Sequence, residues 1–464
     1  MTEGRLKRQI EEYTNTSPLP MHMPGHKRNP AFGNDIFAYD ITEIEGFDNL
    51  HKPRGIFLDA ENKLAGIYNA GKSYLSVNGA TGGLLAVIMA AARPGGTIAV
   101  HSACHISVLH AVELSGCKIT YLKPEIRESV PFYCEVTADT VKQAIEDNPD
   151  ICCVVITSPT YEGIVSNTEE IFAVTDPYGI PLIVDSAHGA HLGLTDRFLP
   201  APVCDADIVS LHKTLPAPTQ TAAINIFTDK IDLTTVEHYI DVFESSSPSY
   251  VLSDGAIACI DAVRSDKIPF DEWADLLDSL IYEPLSDLKH IKLCDLPSKD
   301  RTRIVLICNG ISLARHLRKN FNIECEAAYK THLIAMTGAG DTAGSLARFR
   351  DAVLASDLPG FALDEKTSSL LPLPDKVMSS GISKALSGSR IKLPVEQCIG
   401  RICAEYVFCY PPGVPLLIPG ELISREVMDY IRSTVGQDSS VTLSGRRDWD
   451  GTLCCLDDLP SSRV

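Results

Sequence analysis

Asp185 and Lys213 each stand at the end of an apolar run of the kind that makes a buried strand, PLIVD at 181–185 and ADIVSL at 206–211. Ser186-Ala187-His188-Gly189-Ala190-His191 follows the first, and Ser210 and His212 flank Lys213. Three more runs have polar ends. TIAVH leads into Ser102-Ala103-Cys104-His105, ICCVVIT into Ser158-Pro159-Thr160-Tyr161-Glu162-Gly163, and Asn78-Gly79-Ala80-Thr81-Gly82-Gly83 opens an apolar stretch at 84–92. Each cluster has a plain use by itself. A lone lysine is usually solvated, an aspartate after a strand can cap a helix, a glycine turn can be only a turn, and His105 can simply be packed. Asp185, His188 and His191 could also ligate a metal. Together the clusters fit one cofactor. Pyridoxal phosphate needs a lysine to bond its carbonyl carbon, a carboxylate at its ring nitrogen, a cup for its phosphate and a flat group over its ring. Lys213, Asp185, Gly79 to Gly82 and His105 supply one of each.

The elements that must position these groups are legible from hydrophobic patterning. ICCVVIT at 151–157 is apolar and rich in β-branched residues, as a strand covered on both faces should be. The runs at 97–101, 117–122, 181–185, 206–211 and 222–227 read the same way, and 107–114 reads as a helix between two of them. Strands separated by helices predict crossover connections and a mostly parallel sheet. Ligands of such sheets sit beyond the carboxyl ends of the strands, where all five clusters fall. After about residue 245 the pattern changes to longer helical stretches at 250–263 and 270–288 and strand-like runs at 303–308 and 331–336. The expected architecture is an α/β large domain with a smaller C-terminal α+β domain. Residues 1–60 are expected to form an arm contributing to the site, 61–245 the cofactor-binding domain and 246–464 the C-terminal domain with a polar tail. The Ser-, Leu- and Pro-rich stretch at 367–390 reads as an excursion, and no structure is expected after Asp438 (DSSVTLSGRRDWDGTL).

Composition narrows the function. The 464 residues are 45% hydrophobic and 22% charged, with a net charge of −19. Such a surface repels nucleic-acid phosphates and anionic lipid, which argues against both partners, and draws cationic small molecules. The first twenty residues lack the apolar core of a signal peptide, and 84–92 falls far short of the roughly 20 residues of a membrane helix. Fifteen scattered cysteines without a CxxC read as thiols in a reducing compartment, so a cytoplasmic location is expected.

The motifs in chain order resemble the fold-type I pyridoxal-phosphate decarboxylases of ornithine, lysine and arginine. The resemblance rests on Met23-Pro24-Gly25-His26-Lys27, Asp40-Ile41-Thr42-Glu43, Gly46-Phe47-Asp48-Asn49-Leu50-His51, Asn78-Gly79-Ala80-Thr81 and Cys104-His105-Ile106-Ser107. It continues through residues 185–191 and 210–213, Ser245-Ser246-Ser247-Pro248-Ser249-Tyr250, Tyr410-Pro411-Pro412-Gly413-Val414-Pro415 and Pro419-Gly420-Glu421. It spans residues 20–425 and is similar to the short form of the family, without the N-terminal wing domain of the long enzymes. By position it implies that Lys213 bonds the cofactor, that Asp185 pairs with its ring nitrogen, and that His105 stacks on the ring with His188 close by. Ala80, Thr81 and Gly82 would cradle the phosphate, with Ser210 and His212 touching it. Ser246 would reach the phosphate of a partner subunit in a homodimer or larger assembly with shared sites. Glu421 and Thr160 are implied as substrate contacts, with Asp40 and Glu43 as further acidic candidates. Two departures stand out: Ile106 where the family has lysine, and Ala80 where it has serine or threonine.

The resemblance implies decarboxylation of arginine, or else lysine or ornithine, to agmatine, cadaverine or putrescine, feeding polyamine metabolism. An aminotransferase or another lyase of the same fold would share Lys213 and Asp185, but would also need an arginine for the substrate α-carboxylate. A metal-dependent hydrolase built on Asp185, His188 and His191 would leave Lys213 and the glycine turn unexplained. No metal is assigned.

Overall fold

The β-branched runs become strands at the expected places in the computed structural model, which describes residues 4–16, 18–29, 31, 35–364, 374–410, 414–434, 442–444 and 451–457. The first seven are β1 (Lys72–Ser76), β2 (Thr97–His101), β3 (Lys118–Leu122), β4 (Ile151–Thr157), β5 (Leu182–Asp185), β6 (Ala206–Ser210) and β7 (Ala222–Ile226). Strand β1 has no apolar run to announce it; its sequence is KSYLS, yet four of its five residues are buried. The helices around these strands are α1 (Arg5–Asn15), α2 (Ile56–Tyr68), α3 (Gly79–Ala91), α4 (Ile106–Ser115), α5 (Ala138–Asp147), α6 (Thr168–Thr175), α7 (Leu211–Thr214), α8 (Leu233–Phe243) and α9 (Tyr250–Arg264).

The chain divides into two compact units, one of Met1–Ala90, Ile183–Ala274 and Gly338–Gly340, the other of Ala91–Leu182, Asp275–Thr337 and Asp341–Val464. In the first, the strand order is β1-β7-β6-β5. Strands β5 and β6 run parallel, whereas β7 is antiparallel to both of its neighbours. Only eleven residues, 211–221 with α7 among them, separate β6 from β7, fewer than the dozen or more that a crossover to a parallel neighbour needs. Leu6 and Ile10 of α1, Phe57 and Leu64 of α2, Val209 of β6, and Tyr250 and Ile257 of α9 share one buried cluster.

A polar ladder crosses this apolar interior. Ser73 donates to the Asn225 side-chain oxygen at 2.6 Å, and Asn225 donates to Asp207 at 2.7 Å. Burial pushes the Asp207 carboxyl up to about 7, although the Asn225 bond pulls it down. The fold thus retains a proton that an unfolded chain, titrating at 3.8, releases earlier. The stability tied to that neutral carboxyl is present at low pH and is lost as pH rises towards 7. Asp207→Asn keeps an acceptor for Asn225 without the ionisation. Its unfolding free energy is expected to exceed the parent's by about 4 kcal/mol near pH 7, with little difference at about pH 3. Urea denaturation at the two pH values checks this, and a gap independent of pH would refute the burial argument.

In the second unit β4-β2-β3 form a parallel set, with Thr97 opposite Lys118 and Val100 opposite Val155. Four further strands, β8 (Lys292–Leu293), β9 (Arg303–Ile307), β10 (Ala327–Ala328) and β11 (His332–Met336), make an antiparallel sheet in the order β10-β11-β9-β8. The helical stretch expected over 270–288 is α-helical from Phe270 to Leu277, widens into a π turn at Asp278–Tyr282 and ends at Leu285. The rest comprises β12 (Arg390–Pro394), β13 (Val407–Tyr410), β14 (Val414–Leu417), β15 (Thr442–Ser444) and β16 (Thr452–Leu456). Strand β16 corrects the expectation of an unstructured tail. It pairs antiparallel with β12 and buries Leu453 and Cys455 on alternate positions, a period-two signal hidden inside a polar stretch. Residues 367–373 of the expected excursion and 411–413 of the Tyr-Pro-Pro-Gly motif lie outside the described residues.

Candidate active site

In the first unit the groups expected to do chemistry gather at the carboxyl ends of β5 and β6. Asp185, the last residue of β5, is 2% exposed, and its carboxylate accepts the Ala187 amide at 3.2 Å. The turn that follows carries His188, 9% exposed, whose Nε2 lies 3.0 Å from the Lys213 Nζ. The lysine donates in this pair, which places the ring proton of a neutral His188 on Nδ1. Lys213 sits in the short helix α7, which begins directly after the buried Ser210 of β6. Beside it, His212 Nδ1 donates to the Thr221 carbonyl at 3.0 Å. Burial lowers the His212 pKa, and the Lys213 charge lowers it further against the pull of the Thr221 bond, so its Nε2 keeps a lone pair near neutral pH.

The glycine turn opens α3 as expected. Gly79 has φ +72, a left-handed conformation that favours glycine, and its amide donates to the Gln220 carbonyl at 2.8 Å. A Cβ on Gly82 would stand 3.3 Å from that of Asn78, and one on Gly83 would press into Ile224 at 2.8 Å. Ala80 is buried and Thr81 exposed, so the first turn of a 13-residue helix presents small residues and backbone amides. Ser246 is exposed in the loop between α8 and α9.

His191 departs from the metal alternative. Its ring packs edge-on against Phe198 at 4.9 Å between centroids and against Trp273 at 5.4 Å. Among the described residues no three His, Cys, Asp or Glu side chains are arranged to hold a metal ion.

Three expected residues lie in the second unit. His105 caps α4; its Nδ1 takes the Ser107 amide at 3.3 Å and lies 2.8 Å from the Ser107 hydroxyl, while the residue remains exposed. Thr160 is buried and closes its own loop, accepting the Ile164 amide at 3.1 Å and donating to Glu162 at 3.3 Å. Glu421 is 1% exposed and already occupied. One oxygen accepts the Tyr121 hydroxyl at 2.6 Å, the other the Ile418 amide at 3.0 Å, and Lys376 stands 4.0 Å away. Sequence reading missed Glu244, which is buried and accepts from Ser76 and Val77 just before the glycine turn. Its pattern of an acidic residue near a helix end carries no signal.

Comparison with known proteins decides the family. The model of the Orn/Lys/Arg decarboxylase major domain matches residues 6–267, and that of the C-terminal domain residues 357–441. The chain belongs to the Orn/Lys/Arg decarboxylase family. It is a decarboxylase of a basic amino acid. Its curated relatives include an arginine decarboxylase of Bacillus anthracis, 27% identical over 96% of this chain and 95% of that one. A Bacillus subtilis protein described as uncharacterized, YaaO, is 30% identical over 94% and 95%. Among solved structures, the lysine decarboxylase LdcF of Francisella novicida superposes with a TM-score of 0.79 at 18% identity, covering 97% of this chain and 80% of that one. The expected fold-type I architecture with a smaller C-terminal domain is thus observed.

The residues present fit pyridoxal phosphate, the cofactor that the family implies. A turn whose glycines leave no room for side chains can take the phosphate, a buried carboxylate can face a protonated ring nitrogen, and a lysine with a histidine partner can exchange a proton. No helix among the described residues is long and apolar enough to cross a membrane.

Proposed function

We propose that this decarboxylase acts on arginine with pyridoxal phosphate held by the first unit. The observation that carries the reading is the 3.0 Å contact between Lys213 and His188, one turn beyond the buried Asp185. When bound, pyridoxal phosphate supplies a sink for the electron pair left as carbon dioxide departs. The chain's own groups do the rest. His188 Nε2 can take a proton from the Lys213 ammonium and leave the amine free to react. Asp185, buried at the end of β5, would face the ring nitrogen and keep it protonated. His212 and Ser210 would hold the phosphate together with Ala80, Thr81 and Gly82 at the start of α3. The exposed His105 ring would be the stacking group, as the resemblance implies, and His105 and Lys213 are the candidate donors of the proton that replaces the carboxylate.

Arginine is favoured because relatives at 27% and 26% identity over 96% of the chain are arginine decarboxylases, whereas a lysine decarboxylase of Hafnia alvei is 22% identical. We assign residues 1–60 as the arm, 61–245 as the cofactor-binding region and 246–464 as the C-terminal region. In a homodimer, which the resemblance implies, the exposed Ser246 would reach the partner's phosphate. The described cysteines are thiols, in keeping with a reducing cytoplasm. Thr160 keeps its place as a substrate contact through its rim loop. Glu421, with both oxygens engaged, would meet a distal cation only by giving up Tyr121 or Ile418.

The test is an absorption spectrum of the purified protein followed by carbon dioxide release from arginine, lysine and ornithine. A visible band that borohydride removes, with release fastest from arginine, is expected. A colourless protein that added pyridoxal phosphate cannot restore would end the cofactor reading, and faster release from lysine or ornithine would end the choice of arginine.

A further inference from the structure

The Gly46-to-His51 motif has no part in the chemistry above, yet its histidine is bonded at both ring nitrogens. His51 Nδ1 lies 2.7 Å from an Asp241 carboxylate oxygen, and Nε2 lies 2.7 Å from the Ser245 carbonyl. Both partners are pure acceptors, so both bonds exist together only when the ring carries two protons. The turn that presents the ring is held firmly. Asn49 accepts the His51 amide at 2.8 Å, and the Asp48 carboxylate accepts the Arg54, Gly55 and Phe57 amides, each at 2.9 Å, at the start of α2.

Ser245 is the far side of a second set of bonds. The neighbouring Glu244, 8% exposed, accepts the Ser245 amide at 3.1 Å, the Ser76 hydroxyl at 2.7 Å and the Val77 amide at 3.1 Å. Asn78, the first residue of the glycine turn, donates its side-chain amide to the Phe243 carbonyl at 2.8 Å. Residues 243–245 therefore join His51 on one side to the entry of α3 on the other.

We propose that His51 is a positioning residue for the phosphate cup: as an imidazolium it holds the 243–245 turn, and through Glu244 and Asn78 the opening of α3, in the geometry that receives a phosphate monoester. The proposal rests on the reading of residues 78–83 as that cup. The charged groups acting on His51 are the carboxylates of Asp241 and Glu244. Burial opposes its charge, but the Ser245 carbonyl and these carboxylates outweigh it and raise the pKa above 6.5. The latch is closed below the pKa and opens as pH rises through it. One of the two bonds is then lost, because a neutral imidazole donates only once.

The experiment measures binding, with no turnover. The protein freed of cofactor is titrated with pyridoxal phosphate, and separately with pyridoxal, from about pH 6 to about pH 9, as wild type, His51→Gln and Asp241→Asn. Far-UV circular dichroism confirms that each variant is folded. At the lowest pH, His51→Gln is expected to bind pyridoxal phosphate about tenfold more weakly than wild type, the worth of one charge-assisted hydrogen bond, and pyridoxal equally well. The gap should close as pH rises, since the ligand's own titrations are common to both proteins. Asp241→Asn should move the wild-type transition to lower pH, which keeps the proposal testable should His51→Gln fail to fold. Equal phosphate affinity in wild type and His51→Gln at every pH, or an equal loss for pyridoxal, would overturn the proposal. A wild-type protein that binds no pyridoxal phosphate would remove the cup itself, a result distinct from a cup that binds but ignores His51.

Discussion

Lys213→Ala is expected to lower carbon dioxide release by about four orders of magnitude or more, with the fold intact. Lys213 lies on the four-residue helix α7 and is only partly buried, so truncation opens no large cavity. What is lost is the one amine at the end of β6, held 3.0 Å from a histidine that can relieve it of a proton. Lys213→Arg separates this chemistry from charge. A guanidinium can still donate to His188 Nε2 but stays protonated and is no nucleophile, so it should be as inactive as alanine. Release assays on both variants, with borohydride reduction and intact mass to look for covalently retained cofactor, decide the matter. Residual activity above about one per cent of wild type in Lys213→Ala would mean that another amine does this work.

Asp185→Asn is expected to lower kcat by roughly 10²- to 10³-fold and to weaken the hold on the cofactor. The asparagine oxygen can still accept the Ala187 amide, now at 3.2 Å, so the turn carrying His188 keeps its shape. The change removes a carboxylate from a site 2% exposed, where it would face the ring nitrogen of the cofactor. The stabilisation gained on binding pyridoxal phosphate should therefore shrink in the variant, because binding raises stability in proportion to affinity. Steady-state kinetics and melting with and without pyridoxal phosphate test both halves. Unchanged turnover would exclude Asp185 from the ring nitrogen.

Much of the site was legible because strand ends in a parallel sheet are where polar residues interrupt apolar runs. Asp185, Ser210, Lys213 and the glycine turn of α3 all stand where those interruptions place them. Strand β1 was not legible, because it is buried by α2 and β7 and does not carry its own apolar signal. The same holds for β7's direction, which the eleven-residue connection after β6 decides. Glu421, which the resemblance implies as a substrate contact, has bonds that no local pattern shows: Tyr121, 300 residues earlier, donates to it in the folded chain.

The sequence by itself determined the family and the seven principal strands but one, and it singled out the lysine, carboxylate and glycine turn as candidates, because these depend on local patterning and on residue types that few chemistries share. Only the tertiary structure decided which of them meet. The pairing of Lys213 with His188, the packing of His191 on aromatic rings instead of in a metal site, the occupation of Glu421, and the bridge from His51 through Ser245 and Glu244 to α3 all join residues distant in the chain. Hydrogen bonds are short-ranged and directional, so no linear spacing encodes them; they exist once the sheet and its helices bring the groups within about 3 Å.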